Sequence, residues 1–314
     1  MKARYRSLAP LIRWRELERP IDWPAQFGRR TPLELEIGFG NGEFLVRQAQ
    51  AHPDRNFIGI EPEWASIARA LGRIARSAVI NIRLLQAQAS VVLERLVAPQ
   101  SLAHVYALFP CPWPKRRHEK HRLFSHDFLR LLNSRLGPGG DARILTDSAA
   151  YARWIEEQSA QTSLAVRTAL VAPNALTKYE RKWQALGQEA FHELQLRKQE
   201  HVDVVLQQEI SMETYRVARF DPERFQPTTI HGEVTVEFKD FLFDAQRQRG
   251  MVRVVTAEGG FTQDCWIEIV GAAHGWHIRP SRGCQFVPTV AIQRALDLTR
   301  EAAVGAPRPS PVAR

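Results

Sequence analysis

The chain has 314 residues, of which 44% are apolar and 25% charged, with a formal net charge of +9. That length holds one large domain or two ordinary ones, and the balance is that of a packed globular protein. No apolar run nears the roughly 20 residues that span a bilayer, and Arg13, Arg15, Glu16 and Glu18 break any signal-peptide core, so a membrane role is excluded and a cytoplasmic location is expected.

Cys111, Cys265 and Cys284 are odd in number and far apart, with no CxxC pair, which speaks against a disulfide framework or a metal site. The spacing leaves a Cys265–Cys284 bridge open. The positive charge is unevenly spread: residues 1–200 carry 30 Lys+Arg against 20 Asp+Glu, and residues 201–314 carry 13 against 14. The basic excess therefore belongs to the first part, where it favours a polyanionic partner.

Residues 1–30 are rich in Arg and Pro and read as a basic arm with a short helical stretch near Trp14 to Leu17. From Leu33, strands alternate with helices. Strands are expected at Leu33–Gly38, Asn56–Glu61, Ile80–Gln86, Ala103–Phe109 and Ala142–Thr146. Helical patterns fall at Glu43–Gln50, Glu63–Ser77, Ser90–Leu96, Ser125–Leu136 and Ala149–Thr162, an alternation that builds an α/β, mostly parallel sheet. The run Leu136-Gly137-Pro138-Gly139-Gly140 reads as a helix stop and turn. Residues 31–200 are thus one domain.

After Lys198 the grammar changes. Residues 233–280 alternate apolar and polar, with Glu258-Gly259-Gly260 as a turn, so a small antiparallel sheet is expected. A helix follows near Thr289–Ala303, giving a second, α+β domain at 201–303. The proline-bearing tail at 304–314 is expected to be disordered. Trp266, Trp276, Phe238 and Phe241 read as filling for a sheet core. The role of this domain stays open between a second substrate-positioning module, a dock for another protein and a homo-oligomer contact.

The sharpest local signal is Leu35-Glu36-Ile37-Gly38-Phe39-Gly40-Asn41-Gly42-Glu43. A buried strand ends in Gly38, Gly40 and Gly42 and a helix starts at once, so backbone can turn tightly and approach a ligand. The spacing GxGxG is not the dinucleotide fingerprint GxGxxG. Glu36 sits ahead of the glycines, where it can take up a ligand's positive charge. Glu61 ends the next strand, a position suited to a ribose diol. The bland alternative is a plain strand-to-helix turn beside a solvated charge.

At Leu108-Phe109-Pro110-Cys111-Pro112-Trp113-Pro114-Lys115-Arg116-Arg117-His118 the chain resembles the bacterial tRNA (guanine-N7)-methyltransferases, whose usual string is Phe-Pro-Asp-Pro-Trp, then a Lys and an Arg-His pair. The likeness spans about residues 14–197 and includes Leu35–Glu43, Phe57–Glu61, Asn81–Leu84, Leu136–Gly140, Thr146-Asp147 with Tyr151, and Thr177-Lys178-Tyr179-Glu180-Arg181. The resemblance implies a class I methyltransferase, Rossmann-like seven-stranded sheet with helices on both faces. It implies S-adenosylmethionine as cofactor and methylation of N7 of a guanine in the variable loop of tRNA. It also implies that Glu36, Glu61 and the residue at Gln88 contact the cofactor, and that Lys115, Asp147, Thr177, Lys178, Tyr179 and Glu180 contact the substrate. S-adenosylmethionine carries an ammonium and a sulfonium, which fits the acid read at Glu36.

The residues themselves agree. Two prolines stiffen the loop around Cys111 and hold Trp113 where a base can stack on it. Lys115, Arg116, Arg117, Lys120 and Arg122 form a basic stretch suited to RNA phosphates, with His118 and His121 in the same RNA-facing surface and no metal read there. The bland reading of the stretch is a solvated loop.

Two family acids are missing. Gln88 stands before Ala89, where an amide oxygen still accepts a hydrogen bond. Cys111 stands between the prolines, where a neutral thiol offers no counter-charge to an alkylated guanine. It reads as a packed thiol or, with a lowered pKa set by Lys115 and His118, a nucleophile. Two other functions stay open: a weakened or inactive RNA-binding relative, and a methyltransferase with another acceptor.

Overall fold

The structure, a computed structural model, describes residues 7–205 and 210–305 apart from the Arg116 side chain. The basic start Met1–Arg6 and the tail from Ala306 lie outside the described residues. The chain divides into two compact units, Met1–Leu206 and Gln207–Arg314. No helix among the described residues is long and apolar enough to cross a membrane.

In the first unit the order is α1 (Trp23–Phe27), β1 (Leu33–Ile37), α2 (Glu43–Ala51), β2 (Asn56–Ile60), α3 (Trp64–Ser77), β3 (Ile82–Leu85) and α4 (Ala89–Val91), which runs on as a π turn to Leu96. Then come β4 (Leu102–Leu108), α5 (His126–Arg135), β5 (Leu136–Thr146), α6 (Ala149–Gln158), β6 (Leu164–Val171), α7 (Lys178–Ala185) and β7 (Phe191–Lys198). The seven strands lie in the order β3-β2-β1-β4-β5-β7-β6. All neighbours are parallel from β3 to β5, and β7 is antiparallel to both β5 and β6. This is the strand order of a class I methyltransferase sheet. The topology reverses at β1, whose two neighbours β2 and β4 leave a crevice at the carboxyl ends of the strands.

Local sequence explains these elements. β2 is buried along its whole length and, after Asn56, reads as an unbroken apolar run. β1 is buried too, but its sequence alternates, Leu33-Glu34-Leu35-Glu36-Ile37: Glu34 pairs with Arg55, and Glu36 lines the cavity described below. α3 buries Ile67, Ala70, Leu71 and Ile74, a helical spacing, against Phe57, Ile82 and Leu84. Each large apolar side chain removed from water there contributes about 1.5–3 kcal/mol. Ser125, Ser148 and Thr177 cap α5, α6 and α7 by accepting from the backbone amide three residues on.

Residues 7–30, expected as an arm, are part of this unit. Leu11 pairs with Leu84 and pads the β3 edge, with Ile12 N donating to Leu84 O at 2.9 Å. Trp14 and Trp23 are buried, and their indole N–H groups donate to the Gln86 and Leu96 carbonyls. The Arg- and Pro-rich composition hid two aromatic anchors. The glycine turn expected at 136–140 is instead the start of β5, with Gly139 at φ +72° and a register shift between Leu102 and His104.

In the second unit β8 (Tyr215–Val217), β9 (Val234–Asp244), β10 (Arg249–Glu258), β11 (Phe261–Ala272) and β12 (Gly275–Pro280) form an antiparallel sheet ordered β8-β12-β11-β10-β9. One face is covered by α8 (Val290–Val304), whose Ile292, Ala295, Leu296 and Leu298 pack on Val236, Val254, Ile267 and Ile278. Trp276, Phe238 and Phe241 join this core as expected, whereas Trp266 stands on the opposite face and is half-buried. All three cysteines are free, so the Cys265–Cys284 bridge left open by the spacing is not formed.

Candidate active site

The loop after β1 is built from three left-handed glycines: Gly38 at φ +71°, Gly40 at +55° and Gly42 at +72°. At Gly38 and Gly40 an added Cβ meets nothing within 4 Å, so their absent side chains leave open space. Gly42 differs. A Cβ there would lie 2.7 Å from Ala70 Cβ, so this glycine lets α2 start hard against α3.

Beneath that loop a cavity of about 210 Å3 is lined by Glu36, Gly38, Gly40, Phe44, Lys178 and Tyr179, among others. Glu36 is 3% exposed, and its Oε2 has no hydrogen-bond partner among the described residues. Burial pushes its carboxyl pKa up to about 8, the neighbouring Glu61 charge adds to the rise, and the Arg47 charge opposes it. A buried carboxylate oxygen without a partner is costly unless a cation reaches it. Glu61 is also buried, and its Oε2 accepts from Gly40 N at 2.9 Å, fixing the loop's shape. A molecule with one positive charge, and a narrow body that can lie along bare glycine backbone, fits this donor and acceptor set.

The far wall is the segment before and within α7. Thr177 caps the helix by accepting from Glu180 N at 3.1 Å, which leaves Lys178 and Tyr179 at the cavity. Glu180 does something else. It is fully buried, and its carboxylate accepts from the amides of Asn174 and Ala175 at 2.7 and 3.0 Å and from Leu176. Expected as a substrate contact, it instead shapes the loop that presents Thr177, Lys178 and Tyr179. The reason is that three clustered amides satisfy a charge better than solvent at a buried position. The spacing Thr177-x-x-Glu180, a capping-box pattern, was the signal available in the sequence.

Two arginines tie this wall to α2. Arg181 donates to Glu43 Oε2 at 2.8 Å, and Arg47 donates to the Ala175 carbonyl. Neither was read from the sequence as part of the site. We expect Glu180→Gln to loosen the wall while the global fold survives. Hydrogen exchange at the amides of 174–176 should speed up, and KM for the substrate should rise about tenfold, the loss of roughly 1.4 kcal/mol from a charge-assisted network.

The loop after β4 leaves the sheet beside this cavity, since Leu108 is in its wall. Phe109 and Trp113 both take positive φ, +57° and +43°. The Trp113 ring sits edge-on to His118, with centroids 5.7 Å apart, and 5.2 Å from His121. Cys111 is exposed, not the packed thiol expected. Lys115 and Arg117 are exposed as a phosphate-facing stretch requires, and the Arg116 side chain lies outside the described residues.

Arg122, read as part of that stretch, turns inward. Its Nε donates to the Pro112 carbonyl at 3.0 Å, and its guanidinium lies 5.0 Å from the Trp154 ring. It is the strut that holds the loop. Asp147 follows β5 directly and is half-buried, and Leu145 pairs with Leu108 in the neighbouring β4, so both loops leave the same sheet edge. Gln88 is exposed at the N-cap of α4. Glu61, Gln88, Cys111, Trp113, Lys115 and Asp147 are not in the cavity lining, so the structure divides the expected site residues between a pocket and its rim.

A family profile described as "Putative methyltransferase" matches residues 30–193. A tRNA (guanine-N(7)-)-methyltransferase of Chlorobium phaeobacteroides is 42% identical over 54% of this chain and 84% of its own length. That of Thermotoga maritima is 31% identical over 88% of this chain and 91% of its own. The chain belongs to the tRNA (guanine-N7)-methyltransferase family. The Thermotoga match is long enough to run well into the second unit, where the sequence alone suggested no relative. Among solved structures, a 16S rRNA (adenine(1408)-N(1))-methyltransferase from Catenulisporales acidiphilia is 18% identical, with a TM-score of 0.45 over 59% of this chain and 95% of that one. Within the family frame, the pocket corresponds to the crevice where the sheet's strand order reverses.

Proposed function

We propose that this chain transfers the methyl group of S-adenosylmethionine to N7 of a guanine in the variable loop of tRNA. The observation that carries this reading is the orphaned Glu36 oxygen, buried beside bare glycine backbone. Glu36 takes the cofactor's ammonium, and Glu61 takes the ribose hydroxyls beyond Gly40. S-adenosylmethionine, when bound, supplies an electrophilic methyl group on a sulfonium.

The rest is the work of the chain. Lys178 and Tyr179 close the pocket and keep water from it. Trp113 and Asp147 hold the guanine at the rim, and Lys115 and Arg117 meet phosphates. N7 already has a free lone pair, so no side chain has to remove a proton. Positioning of donor and acceptor therefore provides most of the acceleration, and exposed Cys111 adds no counter-charge.

A second reading has one observation in its favour. The thiol at Cys111 stands where the family has an acid, which suits a relative that binds RNA without turning it over. The two part in one assay. Labelled methyl from S-adenosylmethionine should enter a tRNA transcript, and digestion should return N7-methylguanosine. Replacing the variable-loop guanine should abolish the label. Saturating tRNA binding with no label above background would select the non-catalytic reading.

A further inference from the structure

The face of the second unit's sheet that α8 leaves uncovered is not uniform. Residues alternate across a strand, so cross-strand partners share a face. On this face β11 presents Trp266 and Glu268, β10 presents Arg249 opposite Val270, and β12 presents His277 and Arg279. Arg216 of β8 pairs with His277, so it extends the same row. Glu268 is almost wholly buried and is clamped by Arg249 and Arg279, each at 2.5 Å.

That one carboxylate is outnumbered. Arg216 and Arg282 are exposed and make no ion pair among the described residues. Burial, and then the charges of Arg279 and Arg216, with Arg282 behind them and only Glu268 opposing, hold the His277 imidazole below its usual range. The corner thus keeps a net positive field although residues 201–314 as a whole are close to neutral. The acids of this face lie on the other side of Trp266, where its cross-strand partner Arg253 bonds both Asp240 and Asp264, and Glu237 bonds Lys239.

Trp266 lies between the cationic corner and these acids, two residues or roughly 7 Å along β11 from Glu268 on one side and from Asp264 on the other. Its ring has no aromatic or cation-π partner among the described residues, in contrast to the interlocked rings of Phe220, Phe225, Phe241 and Trp276 on the covered face. A half-buried indole on an open sheet face that also carries unpaired arginines is the chemistry of single-stranded nucleic-acid platforms. There the base stacks on the ring and the backbone phosphates meet the guanidinium groups.

We infer that this corner of the C-terminal sheet is a second RNA-binding surface, distinct from the methylation pocket, which engages an unpaired segment of the substrate RNA. Its partner is a polyanion with an exposed base, and the inference rests on RNA being the substrate. Arg216 and Arg282 supply phosphate contacts, and Trp266 supplies the stacking face.

The test uses the full chain and an Arg216→Glu/Arg282→Glu variant, in which neither side chain supports the fold. Equilibrium binding of tRNA is measured across a salt series, together with kcat at saturating tRNA. The variant should bind about tenfold more weakly near ~100 mM salt, and its slope of log K against log salt should be shallower by about 1–2, for the loss of two phosphate contacts. kcat and S-adenosylhomocysteine affinity should not change. Trp266→Thr should weaken binding about tenfold with the salt slope preserved, because stacking is not ionic.

Equal affinity and slope in parent and double variant would overturn the inference while leaving the methylation reading intact. A parent that binds no tRNA at any salt would overturn both. If the charge reversal leaves tRNA binding alone but turns a dimer into a monomer in sedimentation, the surface joins copies of this chain, and the inference is wrong.

Discussion

Glu36→Gln should reduce affinity for S-adenosylmethionine roughly 100-fold or more, and at the same time make the unliganded protein more stable above neutral pH. Both effects come from one atom. In the unliganded pocket Glu36 Oε2 is buried without a partner, and burial lifts the carboxyl pKa to about 8. Binding of an ammonium requires the carboxylate, so a proton leaves as the ligand enters. Affinity should therefore rise by up to tenfold per pH unit as pH climbs to about 8.

Beyond that the ligand's own α-amino group, with an ordinary pKa of about 7.7–8.0, starts to lose its charge, and affinity falls again. Calorimetry in two buffers of different ionisation enthalpy should detect the released proton in the parent and none in the variant. The stability effect has the opposite sign. The folded pKa lies above the unfolded value of 4.5, so the protonated group stabilises the fold fully below about 4.5, and that contribution is lost as pH rises towards about 8. Glutamine never ionises and escapes the loss. A variant that binds the cofactor normally, or that melts lower than the parent at alkaline pH, would remove Glu36 from the role given to it.

Cys111→Asp should raise the single-turnover rate of methylation, by roughly 10²-fold, with little change in cofactor affinity. N7 alkylation places a positive charge on the guanine, and a carboxylate at the rim offsets it in the transition state. One such preorganised electrostatic contact is worth about 10²–10³ in rate. Cys111 is exposed, so a carboxylate at this position carries little desolvation cost, and it is outside the cavity lining, so cofactor binding is untouched. Cys111→Ser, which restores size and polarity without charge, should give no gain. An unchanged or slower rate in the aspartate variant would mean that the counter-charge comes from elsewhere at the rim.

The parts of this molecule that were legible in the sequence are those governed by backbone pattern. Strand, three glycines and helix around Gly38–Gly42 follow from local sterics, and the alternation from Leu33 to Thr146 follows from burial on both sheet faces. The antiparallel strands of 234–280 announced themselves by their period of two. Edge strand β6 did not, because it is mostly exposed and carries no clean alternation.

Charged residues misled for one common reason: a sequence does not say which way a charge points. Glu180 and Arg122 stand in strings that suggest ligand contact, yet one gathers three loop amides and the other props the Pro110–Trp113 loop from below. Arg47 gave no signal, and Arg181 none beyond its place in the Thr177–Arg181 string, because each acts through a partner about 130 residues away. The cationic corner of the second unit was invisible for the converse reason. Its arginines come from β8, β10, β12 and the residues after it, and only strand register brings them together, while the overall charge of that region nearly cancels.

Where one ligand atom goes decides the function of Glu36, and a crystal structure of the chain with S-adenosylhomocysteine bound shows it without recourse to activity. The account predicts the ligand's ammonium nitrogen within about 2.7–3.2 Å of a Glu36 carboxylate oxygen, with the ribose hydroxyls at Glu61 and the thioether directed towards the loop that bears Cys111 and Trp113. A ligand seated elsewhere on the sheet edge, with Glu36 still buried and unpaired, would contradict it.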